Sequence, residues 1–208
     1  MTDLKRYLHQ PTSNIQITLL RWCLAIVLLI QSVFFISEGF IDQNIIKPMI
    51  LFPFFKKLVP LSESFLIAIS YIMLISNIGM LFNKFAKIST LIFCACFSYF
   101  WLLDKGFFNN HYYFISIICF LLALLEERSS FKKVVLTPRF KILSLQLMVF
   151  LIYFISGLNK LNTYWLFHLQ PITHILDFKA TISGISFLSN KWLVVFLTYS
   201  GLAFDLVV

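Results

Sequence analysis

Charged residues are scarce in this sequence. They make up 12% of its 208 residues, whereas a soluble domain usually has about 25%. The scarcity excludes an ordinary soluble protein, because so small a domain leaves much of its surface exposed and has no room to hide a hydrophobic fraction of 60%. The charges fall in clusters between long apolar runs that are rich in the 25 phenylalanines. We therefore expect the lipid bilayer to be the solvent for much of the chain.

The motifs of several common chemistries are also missing. The sequence has no glycine-rich phosphate loop, no G-x-S-x-G and no H-E-x-x-H. The absence of a C-x-x-C pair disfavours a disulfide framework or a zinc site. His168 and His174 are six residues apart, the wrong spacing for one helix face, so we expect no metal site. The cysteines lie in apolar runs and are interpreted as small buried hydrophobic residues: Cys23, Cys94, Cys96 and Cys119.

Six apolar stretches alternate with polar connections. About 20 helical residues cross a hydrocarbon core of about 30 Å, and backbone groups in lipid must be satisfied within the segment, which favours helices. The sequence therefore predicts an all-α fold, a polytopic transmembrane helix bundle of about six spans with the last one truncated. The predicted spans are 17–37, 63–82, 88–103, 112–125, 142–158 and 192–208.

The net charge of +8 is better explained by membrane orientation than by nucleic-acid binding, since basic loops face the cytoplasmic leaflet. Nine of the 17 Lys and Arg residues lie in the short N-terminal tail and the second and fourth loops. The positive-inside rule then predicts a cytoplasmic N-terminus, with segments 104–110 and 159–191 together on the extracytoplasmic side. The nine residues are Lys5, Arg6, Lys84, Lys87, Arg128, Lys132, Lys133, Arg139 and Lys141.

Polar residues stand where the fourth span begins: Asn109, Asn110 and His111. The apolar part of that span is short, at about 21 Å, so we expect Asn110 and His111 to be recessed below the outer membrane surface. One interpretation is a helix cap followed by an interfacial belt of aromatic residues. The other is a set of hydrogen-bonding groups that line a functional site.

Lys160 closes the fifth apolar span. One interpretation is a lysine that snorkels to the membrane interface, which is common. The other is an amine held partly out of water, in the neutral form that a general base needs. Ser156 and Tyr164 lie one helical turn before and after Lys160 if the helix continues that far.

Two more charges lie within predicted spans, Arg21 in the first and Asp205 in the sixth. Intramembrane charges usually pair or face a polar cavity. A pair between the two requires Asp205 to lie as deep as Arg21. The alternative for Arg21 is a side chain that snorkels to the cytoplasmic headgroups.

Two longer motifs are Leu102-Leu103-Asp104-Lys105 with Asn109-Asn110-His111, and Tyr153-Phe154-Ile155-Ser156-Gly157-Leu158-Asn159-Lys160-Leu161 with Trp165. Weaker matches are Leu19-Leu20-Arg21, Phe52-Pro53, Pro60-Leu61, Ile78-Gly79-Met80-Leu81 and Leu202-Ala203-Phe204-Asp205-Leu206. In their order and spacing, over nearly the whole chain, these residues resemble the vitamin K-dependent gamma-carboxylase family, whose membrane part is also called the HTTM domain.

The resemblance implies a carbon–carbon lyase coupled to an epoxidase. A membrane lysine deprotonates vitamin K hydroquinone, O2 adds to the ring anion, and the resulting alkoxide removes a γ-proton from a glutamate of a protein or peptide substrate. CO2 captures the carbanion, and the quinone leaves as its epoxide. The lysine position is Lys160, and Asn110 and His111 match positions that orient the lysine or bind the ring oxygen. We expect further cofactor contacts from Asn109, Tyr164 and Trp165.

The resemblance also implies that residues 1–208 form an HTTM-like transmembrane domain. In the family, this domain is the N-terminal part of a larger protein with further helices and an extracytoplasmic domain. The alternative function is a non-catalytic HTTM module that binds a quinone, a lipid or a peptide. Transport is disfavoured, since no inverted repeat of broken helices is visible. Membrane lipid is an expected partner in every case, and nucleic acid is not.

Overall fold

The fold was analysed in a computed structural model, which describes residues 2–39, 50–52, 54, 58–107, 109–125 and 135–207. It is predominantly helical, as predicted. The chain forms two compact units, Met1–Leu145 and Gln146–Val208. Four residues named above, Pro53, Arg128, Lys132 and Lys133, lie outside the described residues, as does the last residue of the sixth predicted span, Val208.

The elements follow one another along the chain with short connections. In order they are α1 (Thr2–Leu8), β1 (Pro11–Ser13), α2 (Ile15–Ser37), α3 (Glu63–Met80), α4 (Ala86–Leu103), a 3-10 turn (Lys105–Phe107), α5 (Asn110–Leu125), β2 (Leu136–Pro138), α6 (Arg139–Lys160), α7 (Thr163–Leu166), α8 (Ile172–Ser183), a second 3-10 turn (Ser186–Ser189) and α9 (Lys191–Val207).

Each of the six predicted spans corresponds to a helix: α2, α3, α4, α5, α6 and α9. Among the described residues, four helices are long and apolar enough to cross a membrane, namely α2, α3, α4 and α6. The other two are shorter, with 16 residues in α5 and 17 in α9. The all-α, polytopic helical architecture is therefore confirmed.

Two segments have more regular structure than their polar sequence indicates. The N-terminal tail contains α1 and β1, and β1 pairs antiparallel with β2, with Thr12 opposite Thr137. This short ladder satisfies backbone groups of two segments that flank the long helices. The mixed segment 159–191 contains α7, α8 and the second 3-10 turn.

In the first unit, α2 packs on α3, α3 on α4, and α4 on α5. The core is unusually aromatic, with Phe93 and Phe97 stacked at 5.4 Å between ring centroids and Phe100 and Trp101 buried beside them. The opposite helix faces carry exposed apolar side chains such as Val27 and Ile75. Such faces suit a hydrocarbon solvent, which needs no polar surface.

Hydroxyl and amide side chains inside the helices find partners within the protein. Ser32 and Thr90 each donate to the carbonyl four residues earlier in their own helix. Asn77 of α3 is fully buried, and its Nδ2 donates to the Leu28 carbonyl at 3.1 Å and to the Ser32 Oγ at 2.7 Å. This contact joins α3 to α2 by hydrogen bonds that lipid cannot supply.

The interpretation of all four cysteines as buried residues is only half right. Cys94 and Cys119 are buried in the first unit, whereas Cys96 is half-buried and Cys23 is exposed. The physical reason is that a small apolar residue on a transmembrane helix has no need of a protein core. A lipid-facing position satisfies it equally well.

Close packing of α3 on α4 depends on Gly79. A Cβ added to Gly79 would lie 2.3 Å from the Ser89 Oγ, well inside contact distance. Gly201 of α9 offers a matched control, because nothing lies within 4 Å of a Cβ added there. Both changes to alanine gain about 1 kcal/mol of helix propensity, but only one creates a clash.

We expect Gly79→Ala to have a free energy of unfolding about 1–3 kcal/mol below that of Gly201→Ala, because overpacking forces the two helices apart. The measurement is SDS-induced unfolding of the detergent-solubilised protein, followed by circular dichroism. Equal stability of the two variants would contradict the close approach of α3 and α4.

Candidate functional site

The second unit contains an ion pair between two helices. Lys160 is the last residue of α6, and its Nζ donates to the Asp205 Oδ2 of α9 at 2.7 Å. The side chains are only 22% and 9% exposed. Lys160 is therefore a paired amine with limited access to water, and the snorkelling interpretation is wrong for the described structure.

A glycine brings the two helices of this pair together. A Cβ added to Gly157 would lie 2.8 Å from the Leu206 Cδ2 and 3.2 Å from the backbone carbonyl carbon of Asp205. Only a residue without a side chain permits this approach. Near this contact, Tyr153 and Phe204 meet edge to face at 5.5 Å. The sequence motif that contains Lys160 thus also contains the residue that lets Asp205 reach it.

Trp165 covers the amine of the pair. The Lys160 Nζ lies 4.7 Å from the Trp165 ring centroid, within the range of a cation–π interaction. The ring is held in place because its Nε1 donates to the Thr198 carbonyl at 3.3 Å. The Trp165 backbone amide in turn donates to the Asn162 Oδ1 at 3.0 Å, which caps the short helix α7. A carboxylate and an indole ring therefore share one lysine.

The helix ends at Lys160, so Tyr164 is not one helical turn beyond it. The Asn162 amide bonds the Lys160 carbonyl at 2.8 Å, and the chain turns into α7. Tyr164 is 73% exposed and contacts the His168 ring at 5.7 Å. Ser156, one turn before Lys160, is half-buried within α6. Of the predicted neighbours of Lys160, the structure brings Trp165 to the amine.

Arg21 is fully buried in the first unit and binds the end of α3. Its guanidinium donates to the Met80 carbonyl and to the Asn83 Oδ1. A cation at a helix C-terminus is favoured by the helix dipole and by the free carbonyls there. Neither of the expectations for Arg21 holds, since it binds a helix end instead of snorkelling, and the Asp205 carboxylate is bonded to Lys160.

The polar turn before α5 is organised as a cap. The Asn109 Oδ1 accepts from the Tyr112 amide at 2.8 Å, as the capping interpretation expects. Asp104 is buried, and its Oδ1 accepts from the Gly106 amide at 2.7 Å. The next two residues, Asn110 and His111, are exposed in the first turn of α5.

The predicted meeting of Lys160 with Asn110 and His111 stays a prediction. Asn110 and His111 belong to the first compact unit, and Lys160 belongs to the second. Within its own unit, each set has a defined environment: exposed polar side chains beside an N-terminal cap in one, and an ion pair under an indole ring in the other.

An aromatic cleft opens among α2, α3, α4 and α5 of the first unit. It encloses about 420 Å³, including its open mouth. Its polar groups include Gln31, an exposed residue of α2, and the aromatic residues of its lining are Phe35, Phe93, Phe97, Phe100, Trp101 and Tyr112. The sequence offered a general signal, the abundance of phenylalanine, but no spacing that identified these residues as neighbours.

The helical spans and their internally satisfied polar groups define a polytopic membrane protein of the helix-bundle class. The family model of the HTTM domain matches residues 9–208. The chain therefore belongs to the HTTM domain family, a family of membrane domains. No solved structure matches the chain.

The contribution of Trp165 can be separated into its two contacts. We expect Trp165→Phe, which keeps a ring but loses the bond to the Thr198 carbonyl, to lower the free energy of unfolding by about 1 kcal/mol. Trp165→Leu also loses the ring over Lys160, so it should cost about 1–2 kcal/mol more.

The measurement is SDS-induced unfolding of the detergent-solubilised protein, with Trp192→Phe as the control. Trp192 is 79% exposed at the start of α9, so its replacement should change little. If Trp165→Phe and Trp192→Phe have the same stability, the assigned hydrogen bond is wrong.

Proposed function

We propose that this protein is a vitamin K-dependent gamma-carboxylase-like membrane enzyme that couples quinol epoxidation to glutamate carboxylation. Membership of the HTTM domain family supports the proposal, because gamma-carboxylases carry this domain. The observation that carries it furthest is the Lys160 amine, held with limited water access at the end of an apolar helix. Lysine is the residue that the resemblance assigns to deprotonation of the hydroquinone.

The surroundings of Lys160 suit a proton-transfer group. Its stem ends an apolar helix, a carboxylate bonds its amine, and an indole ring covers it. A reactive ring alkoxide must be shielded from water, and these neighbours leave the lysine about one-fifth exposed. A general base also needs a fixed position within hydrogen-bond reach of the proton that it abstracts, which two partners provide better than one.

The aromatic cleft of the first unit is our candidate site for the quinone ring. Flat aromatic side chains stack on a flat ring, and a lipid tail needs an apolar lining. Gln31 supplies an amide that can donate to a ring oxygen. Asn109, Asn110, His111 and Tyr164 keep the cofactor-orienting roles that the resemblance implies.

The proposal includes the other reactants and the orientation. O2 and CO2 are co-substrates, and a glutamate of a protein or peptide is the carboxyl acceptor, with no metal required. The N-terminus lies in the cytoplasm and the site faces the extracytoplasmic side, in accordance with the distribution of Lys and Arg. Membrane lipid surrounds the exposed apolar helix faces.

A second function, a non-catalytic membrane module that binds a quinone, lipid or peptide, is favoured by one observation. The Lys160 amine is already bonded by the Asp205 carboxylate, as in a lysine that only joins two helices. Under this alternative the protein has no redox turnover, and Lys160→Met is tolerated because methionine fills a similar volume.

The decisive experiment compares Lys160→Ala with wild type in the full-length protein, reconstituted in nanodiscs. We expect Lys160→Ala to lower the rate of epoxide formation from vitamin K hydroquinone by about 100-fold or more, the usual effect of losing a general base. Lys179→Ala, which removes an exposed lysine of α8, should have the wild-type rate. Equal epoxidation by Lys160→Ala and wild type would show that Lys160 is not the base.

The cleft is tested by Gln31→Leu, which keeps the approximate shape but removes the amide. We expect the Kd of the quinone to rise about fivefold, because one hydrogen bond to the ring is lost. Quenching of tryptophan fluorescence by the quinone measures the Kd. Gln146→Leu, which changes an exposed glutamine of α6 in the same way, is the control, and identical affinities for both variants would place the quinone elsewhere.

A further inference from the structure

The ion pair presents a chemical conflict with the role of Lys160 as a base. An ammonium group whose proton is bonded to a carboxylate, as the 2.7 Å contact with Asp205 shows, has no lone pair to accept another proton. If Lys160 is to deprotonate a substrate, one of its own protons must first go to another group. The Asp205 Oδ2 is the acceptor already in contact with it.

We propose that Asp205 is a positioning residue that governs the proton on Lys160, and that the two side chains exchange protons as one acid–base pair. This inference rests on the proposed function for the substrate step. The pairing itself rests on the contacts of the second unit alone.

The proton balance is simple. At rest, Lys160 is an ammonium and Asp205 a carboxylate. The shared proton moves from Nζ to Oδ2, which leaves a neutral amine and a carboxylic acid. The amine lone pair then takes the proton of a ring hydroxyl of the quinol, so that the O–H bond breaks, an N–H bond forms, and the ring oxygen keeps the electron pair. The quinol loses one proton and the pair gains one, and no oxidant is needed in this step.

The surroundings allow both forms of the pair. In a site with little water, the charged pair loses much of its advantage over the neutral pair, because each ion is poorly solvated. Two groups coupled this closely titrate as a unit. Trp165 stabilises the ammonium from its ring face, and Gly157 keeps α9 close enough for the shared proton to have a short path.

The first test uses two variants of Asp205 in the full-length protein in nanodiscs. Asp205→Asn keeps the size and a hydrogen-bond acceptor but cannot take a proton, whereas Asp205→Glu keeps the carboxylate. The control is Asp177→Asn, the same change at an exposed carboxylate of α8. The measurements are kcat and KM for epoxidation of vitamin K hydroquinone, with a thermal unfolding midpoint for each variant.

We expect Asp205→Asn to lower kcat by about 100-fold with little change in KM, and Asp205→Glu to keep a substantial part of the activity. Asp177→Asn should match wild type. A wild-type kcat in Asp205→Asn overturns the inference. So does an equal loss of activity and stability in Asp205→Asn and Asp205→Glu, because that outcome assigns Asp205 a purely structural role.

The second test does not depend on turnover. A membrane-permeable acylating reagent modifies only the neutral amine, and mass spectrometry of the Lys160 peptide measures the rate. In Asp205→Asn the poorly hydrated ammonium loses its counter-ion and gives up its proton more readily, so we expect labelling to be about tenfold faster. Asp205→Glu and Asp177→Asn should label at the slow wild-type rate.

The two tests separate the two proposals. Faster labelling of Asp205→Asn in a wild-type protein without epoxidation supports the acid–base pair and rejects the proposed enzyme. Unchanged labelling in Asp205→Asn overturns the pair, whether or not the protein oxidises a quinol.

Discussion

Hydrocarbon offers no hydrogen-bond partner, so every polar group on a membrane helix must find one in the protein. This constraint explains the contacts that hold the two units together internally. Asn77 reaches the Leu28 carbonyl of the neighbouring helix, and Arg21 reaches the last carbonyl of α3. Hydroxyl groups such as that of Thr90 bond the carbonyl one turn earlier. Dispersion and aromatic packing fill the spaces between these bonds.

The same constraint applies most strongly to charge, and the site follows from it. Lys160 and Asp205 each need a counter-ion because neither is well hydrated. Their approach depends on Gly157, which removes the side chain that would separate the helices. A pair formed for stability is then also a group that can move a proton, because a close, poorly hydrated amine and carboxylate have two forms of similar energy. Stability and chemistry thus share one contact.

Much of the fold follows from local sequence, because the length of an apolar run and the polar residues at its ends are local properties. The helix α4 illustrates this, since the prediction of 88–103 differs from the observed Ala86–Leu103 by two residues at one end. The cap formed by Asn109 is equally local, as its partner is three residues away. The continuation of α6 past Lys160 was wrong, because Asn162 bonds the Lys160 carbonyl and turns the chain.

The sequence by itself determined the membrane class, the six helices, the family resemblance, and Lys160, Arg21 and Asp205 as the polar residues of interest. Only the tertiary structure decided their partners. Asp205 lies 45 residues from Lys160, and both Arg21 and Asp205 were open to other pairings. The aromatic cleft likewise joins four helices whose phenylalanines are apolar on every face. A bilayer accepts any apolar face, so hydrophobic pattern alone does not tell which face meets protein and which meets lipid.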